Sequence, residues 1–102
     1  IENIHQSIFE AVKDNGNKLQ MNDWHTCETT HCRGGWVTHL AGEQGEELEK
    51  RFGMPLAAQI IYKNSSPIPV RLTQYYETNE NAMKDIVRCA EEEMIQNKTP
   101  LI

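Results

Sequence analysis

Apolar residues recur at helical spacing in five stretches of this chain. Ile4, Ile8 and Val12 fall at i, i+4 and i+8, with His5 and Phe9 beside them, and predict a helix over residues 2–13. Asp14-Asn15-Gly16-Asn17 then stops it. Cys32, Gly35, Trp36, His39 and Leu40 predict the inward stripe of a second helix, from near Thr30 to about Ala41. Thr29 or Thr30 is its expected N-cap, and Gly42 its expected stop. Glu43–Phe52 reads as a third, acidic helix with Leu48 and Phe52 inward and Gly53 closing it. Pro55 opens a fourth, whose stripe is Leu56, Ala57, Ile60 and Ile61 and which runs to about Lys63. Met83, Ile86, Val87, Ala90 and Met94 line the last, over about 80–95, with Thr78 or Asn79 as cap and Cys89 as a small filler at its flank.

Residues 14–29 and 64–79 carry no such period and are expected to be irregular, apart from a short extended piece at Lys18–Met21. The expected fold is therefore all-α: a single compact domain of four to five short helices. Helices of this length are marginal alone and depend on packing against one another.

Length and charge narrow the function classes. The chain has 102 residues, which suits one domain. Its net charge of −5 speaks against a nucleic-acid surface, which needs a basic face. The acids gather at Glu43–Glu49 and Glu91–Glu93, both expected to be solvated helix faces. No apolar run approaches the ~20 residues of a membrane span. Three cysteines are too few for a disulfide scaffold, so a reducing, cytoplasmic setting is expected. The sequence opens at Ile1 rather than Met, which leads us to expect a module of a longer polypeptide.

Candidate chemistry is concentrated in residues 24–36, which hold both tryptophans, two of the three cysteines and two of the four histidines. We expect Trp24, Cys27, Cys32, Gly35, Trp36 and His39 to form the structural centre. The pair Gly34-Gly35 costs about 1 kcal/mol of helix stability per glycine. That cost is tolerated where another backbone passes close, which is expected at Gly35.

Four readings of this stretch compete. His25, Cys27, His31 and Cys32 are possible zinc ligands, since zinc takes four nitrogen or sulfur donors. Against this, His31 and Cys32 as neighbours on a helix would diverge by about 100°, and no C-x-x-C knuckle is present. A Cys27–Cys32 disulfide requires a Cα separation below about 7 Å. Cys32 as a reactive thiol gains from the helix N-terminus, but His39, two turns on, is about 10 Å away and too far to serve as its base. In the fourth reading the segment is a loop-to-helix plug: Cys27 and Cys32 are small core residues, Trp24 and Trp36 large ones, and the histidines bond a buried loop. This last reading is preferred, with no catalytic residue and no cofactor. Tyr75, Tyr76, Pro67 and Pro69 are the candidates for surface contact, tyrosines being favoured at interfaces. The alternative for the two tyrosines is a core role closing the last helix.

The run Trp24-His25-Thr26-Cys27-Glu28-Thr29-Thr30-His31-Cys32-Arg33-Gly34-Gly35-Trp36-Val37, followed by Leu40-Ala41-Gly42, resembles an uncharacterised small domain of phage and bacterial proteins. There the run typically reads W-H-T-C-x-T-T-H-C-R-A-G-W, and distant relatives keep a shorter C-G-T-x-x-C-x-A-G core. The resemblance extends to Ile4-His5-Gln6, Pro55-Leu56-Ala57-Ala58, Ile61-Tyr62, Tyr75-Tyr76 and Asn79. The departure is Gly34, where alanine is usual. The resemblance transfers no activity, substrate or cofactor. It implies a terminal module of a larger phage-type protein, with a protein partner or the rest of a longer chain to contact, in the cytoplasm or in a virion.

Overall fold

Glycines and a proline cut the middle of the chain into three short helices, and two further helices brace them. The computed structural model describes residues 1–13, 18–21, 25–27 and 30–98, apart from the side chains of residues 18, 25–27, 30, 72, 73, 97 and 98. The helices are α1 (Ile4–Lys13), α2 (Arg33–Leu40), α3 (Gly42–Phe52), α4 (Met54–Ser65) and α5 (Asn79–Lys98), with a 3-10 turn at Leu72–Tyr76. The domain is all-α, as the periodicity predicts. It also carries a small sheet, of β1 (Lys18–Leu19), β2 (His25–Cys27) and β3 (Thr30–His31), in the order β1–β3–β2.

α1 lies along α5, burying Ile4, His5, Ile8 and Val12 against a face that includes Ile86, Cys89 and Ala90. The two helices are tied at one end by a buried carboxylate. Glu93 on α5 accepts from the backbone N–H of His5 (3.2 Å) and of Gln6 (2.9 Å). These are donors that the first turn of α1 cannot satisfy within itself.

α2, α3 and α4 pack mutually. Gly42, at φ +67°, lets α3 start one residue after the cap of α2, and Gly53, at φ +81°, does the same between α3 and α4. Gly45 lies against the Thr38 carbonyl, so closely that a Cβ there would overlap it. Ala57 and Ala58 are fully buried, as close helix packing requires.

The sheet delivers the chain into α2. β1 runs parallel to β3, with Leu19 opposite His31, and β2 runs antiparallel, with His25 opposite His31. The Gln20 N–H continues the ladder to the His31 carbonyl at 2.8 Å. The extended piece expected at Lys18–Met21 is thus real, and shorter.

Several sequence-based expectations are corrected. α2 begins at Arg33 rather than Thr30, because Thr30 and His31 belong to the ladder. Its N-cap is Cys32, whose Sγ accepts from the Gly35 N–H at 3.2 Å. Arg33 through Thr38 are all buried, so α2 has no outward face until His39 and Leu40, which are exposed. Phe52, Leu56 and Met94 are exposed as well, each lying at the edge of its stripe. On α5 the buried line is Ala82, Ile86, Cys89, Ala90 and Glu93, so Cys89 sits on the stripe and Glu93 is not a solvated acid. At Gly34 the close neighbour is a side chain rather than a backbone, since a Cβ there would overlap Met54 Sδ of α4. The expected stop at residues 14–17 and Thr29 as cap lie outside the described residues.

Candidate functional site

Two clusters grow from the β3–α2 junction, one charged and one aromatic. The charged cluster centres on Arg33, the first residue of α2 and fully buried. Arg33 Nη1 donates to Asp85 Oδ2 on α5, and its Nε donates to the Tyr62 hydroxyl on α4 at 3.1 Å. Its Nη2 lies 3.7 Å from Cys89 Sγ. Arg88 closes the other side of Asp85, donating to Oδ1 at 2.8 and 3.0 Å, and reaches Glu92 at 3.0 Å.

The charges hold one another in place. Burial alone would push the Asp85 carboxyl up; hydrogen bonds and charge from Arg33 and Arg88 hold it below the ordinary carboxylate value. Burial likewise opposes the Arg33 charge, and contact with Tyr62 and Asp85 outweighs it and raises its pKa. Burial pushes the Tyr62 phenol up, so it stays protonated, accepting from Arg33. His5 stacks on Tyr62 at 5.1 Å between ring centroids, and its buried Nε2 has no hydrogen-bond partner among the described residues. Burial lowers the His5 pKa below its ordinary 6.5, and Glu93 only partly offsets this. This network joins α1, α2, α4 and α5 and gives them one relative position.

The aromatic cluster is His31, Trp36 and His39. His31 is buried, and its ring meets Trp36 edge-on at 4.6 Å and stacks on His39 at 4.5 Å with a 28° tilt. Trp36 and His39 meet edge-on at 5.6 Å. His31 leaves the strand and His39 leaves the last turn of α2, so a fold-back brings together residues eight apart.

Cys32 is a free, buried thiol, and burial raises its pKa despite the donors at the helix start. A thiolate nucleophile needs the opposite shift. Cys89 is also free and buried, its thiol also pushed up by burial and then by Asp85.

The sequence-predicted residues are distributed as follows. Cys32, Gly35 and Trp36 are buried at the centre, and His39 touches the cluster from the surface. Trp24 lies outside the described residues, as do the side chains of His25 and Cys27. Tyr75 is a core residue, donating to Gln59 Oε1 at 2.9 Å; Tyr76 beside it is 74 % exposed. Pro67 and Pro69 are exposed beside a shallow cleft with Lys63 and Gln59. Arg33, Asp85 and Glu93 were missed. The available signal was one arginine inside the small and apolar run Cys32–Val37, with Asp85 and Glu93 adjoining the α5 stripe.

A groove of about 290 Å³ runs between the end of α2, α3 and the second half of α4, lined by Leu40, Gln44, Leu48, Ile60 and Ile61 among others. No helix among the described residues is long and apolar enough to cross a membrane. No family model, curated protein or solved structure matches this chain.

Proposed function

We propose that this domain is a non-catalytic interaction module that receives an amphipathic, basic-flanked helix from a protein partner. The observation that carries the reading is Leu40: a leucine 38 % exposed at the end of a helix that is buried from Arg33 through Thr38, on the rim of an apolar groove. Exposed apolar surface rimmed by polar groups is typical of a binding groove. Leu48, Ile60 and Ile61 give the groove an apolar floor, and an incoming helix would match it with residues at i, i+3, i+4 and i+7.

The basic flank follows from α3, which forms one wall. Its exposed acids include Glu43, Glu46 and Glu47. Glu46 and Glu47 meet Lys50 and Arg51 at 3.8 and 3.6 Å, pairs exposed enough that exchanging them for a partner's cations costs little. The likeness of residues 24–37 to a phage and bacterial domain supplies the setting: a module of a larger phage- or prophage-type protein, in the cytoplasm or in a virion.

The test is a titration of the domain with a labelled helical peptide that carries a leucine stripe flanked by lysines, against the same stripe flanked by glutamates. The lysine peptide should bind more tightly, and Leu40→Asp should weaken it about ten-fold or more, because a carboxylate replaces an apolar anchor. Equal binding of the two peptides, or a Leu40→Asp protein that binds as the parent does, overturns the reading.

A further inference from the structure

We propose that α1 is an acid-releasable helix: a proton on His5 frees its first turn from α4 and α5, while α2, α3 and α4 stay packed together. The proposal does not depend on the interaction groove.

The joint is built from one buried ring and one buried carboxylate. His5 is 1 % exposed and stacks on Tyr62 of α4, and its Nε2 has no hydrogen-bond partner among the described residues. A neutral imidazole carries a hydrogen on one nitrogen, and a charged one on both. In the folded domain the second N–H would be buried and charged with nothing to accept it, which costs far more than an unpaired lone pair.

The groups around the ring do not make up that cost. Glu93 of α5 favours the charged ring, but its oxygens already accept from the His5 and Gln6 backbone N–H groups and from Gln6 Nε2. Asp85, also on α5, favours it too, with its oxygens engaged by Arg33 and Arg88. Arg33 of α2, itself fully buried, opposes it. The Ile68 backbone after α4 favours it, and Tyr62 presents a ring whose hydroxyl is held by Arg33. Burial outweighs the favourable contributions, so the folded ring resists a proton below its ordinary 6.5. A charged ring is relieved by water, and His5 reaches water when the first turn of α1 lifts.

α1 is the element that gives way because the others are held without it. Arg33 ties α2 to Asp85 of α5 and to Tyr62 of α4, and α2, α3 and α4 pack mutually. α1 has ten residues, too few for a stable helix alone. It is held by the burial of Ile4, Ile8 and Val12 and, at its first turn, by Glu93. His5 lies in that same turn, so one proton acts on the cap and on the stack together. Release uncovers an apolar face that includes the Tyr62 ring and the Ile86 and Cys89 side chains.

Amide hydrogen exchange of the whole chain tests this, at about pH 7.5 and about pH 5.5, on either side of the histidine range, with rates corrected for the intrinsic effect of pH. Linkage of one proton to an ordinary value of 6.5 should lower the protection of residues 4–13 about ten-fold at the lower pH, while the α4 amides keep theirs. His5→Phe, which keeps a ring on Tyr62, should hold the protection of α1 at both pH values, and so should His5→Gln if the phenylalanine protein does not fold. An unchanged α1 in the parent overturns the proposal. So does an equal loss in α1 and α4, which would be unfolding of the whole domain. A folded His5 variant that loses α1 protection as the parent does overturns it as well, since the proton would then act elsewhere.

Discussion

Arg33, the first residue of α2, is fully buried and donates to Asp85 on α5, 52 residues further along the chain. A guanidinium with no access to water is tolerable only where its charge and its donors are matched. Asp85 and Tyr62 do this, and Arg88 holds Asp85 in turn. Removing the carboxylate leaves an unmatched buried charge. Asp85→Ala should therefore cost about 3–5 kcal/mol. The double variant Arg33→Met, Asp85→Ala should recover part of that loss, because no stranded charge remains. Urea melts of the three proteins measure both effects; an Asp85→Ala domain as stable as the parent would refute the role given to the pair.

Glu93 caps α1 from another helix. Its carboxylate accepts from the His5 and Gln6 N–H groups and from Gln6 Nε2 at 3.2 Å. Its charge also meets the positive end of the α1 dipole. Glu93→Ala should cost about 0.5–2 kcal/mol, the range of a lost N-cap. Amide hydrogen exchange locates the effect: protection of His5 and Gln6 should fall before that of the α4 amides. Uniform loss of protection along the chain would mean that Glu93 acts otherwise.

His5 should give the domain an acid-sensitive stability. It is buried, and burial lowers its pKa below 6.5. The unfolded chain therefore takes up a proton at a pH where the folded one does not. Stability from this source is fully present above pH 6.5 and is lost as pH falls from there toward the folded value. Asp85, also lowered, adds a second loss, which begins only as pH falls toward its ordinary 3.8. The two windows are separable. Melting temperature measured from pH 8 to pH 5 should decline below about 6.5 in the parent. The decline should be shallower in His5→Phe, which keeps a ring stacked on Tyr62. The same slope in both proteins would assign the acid sensitivity to other groups.

The sequence makes one-sided helices legible and hides those buried all round. α1 has one apolar face, and Ile4, Ile8 and Val12 are buried as their spacing requires. α2 buries Arg33 through Thr38 without a polar face, so a stripe fitted to it turned His39 and Leu40 inward. Periodicity scores a charge as solvent-facing, which is why Arg33 and Glu93 were passed over although Glu93 lies on the line of Ile86 and Cys89. Within residues 24–36, Cys32, Gly35 and Trp36 are buried, as expected of a structural centre, while Trp24 and the side chain of Cys27 lie outside the described residues. The internal arrangement of this stretch was not legible, because a ladder of two-residue strands leaves no period. Only the ladder shows that His31 precedes the helix and that Cys32 caps it.

Gly34 offers a test of how tightly α2 and α4 are fitted. Alanine is the better helix former by about 1 kcal/mol. A Cβ at Gly34 would overlap Met54 Sδ, and Met54 is itself almost fully buried, with little space to swing into. Forcing extra volume into a packed site costs about 1–3 kcal/mol. The packing term outweighs the propensity gain, so Gly34→Ala should destabilise the domain by up to about 2 kcal/mol. Shortening the opposing side chain reverses the sign of the effect. In a Met54→Val background, itself less stable for the lost contacts, Gly34→Ala should be neutral or stabilising, since the valine leaves room for the methyl. The double-mutant cycle reads the coupling directly, and two sites in contact are expected to show it. Additive effects would mean that Met54 moves aside freely and that the glycine is not held by this contact.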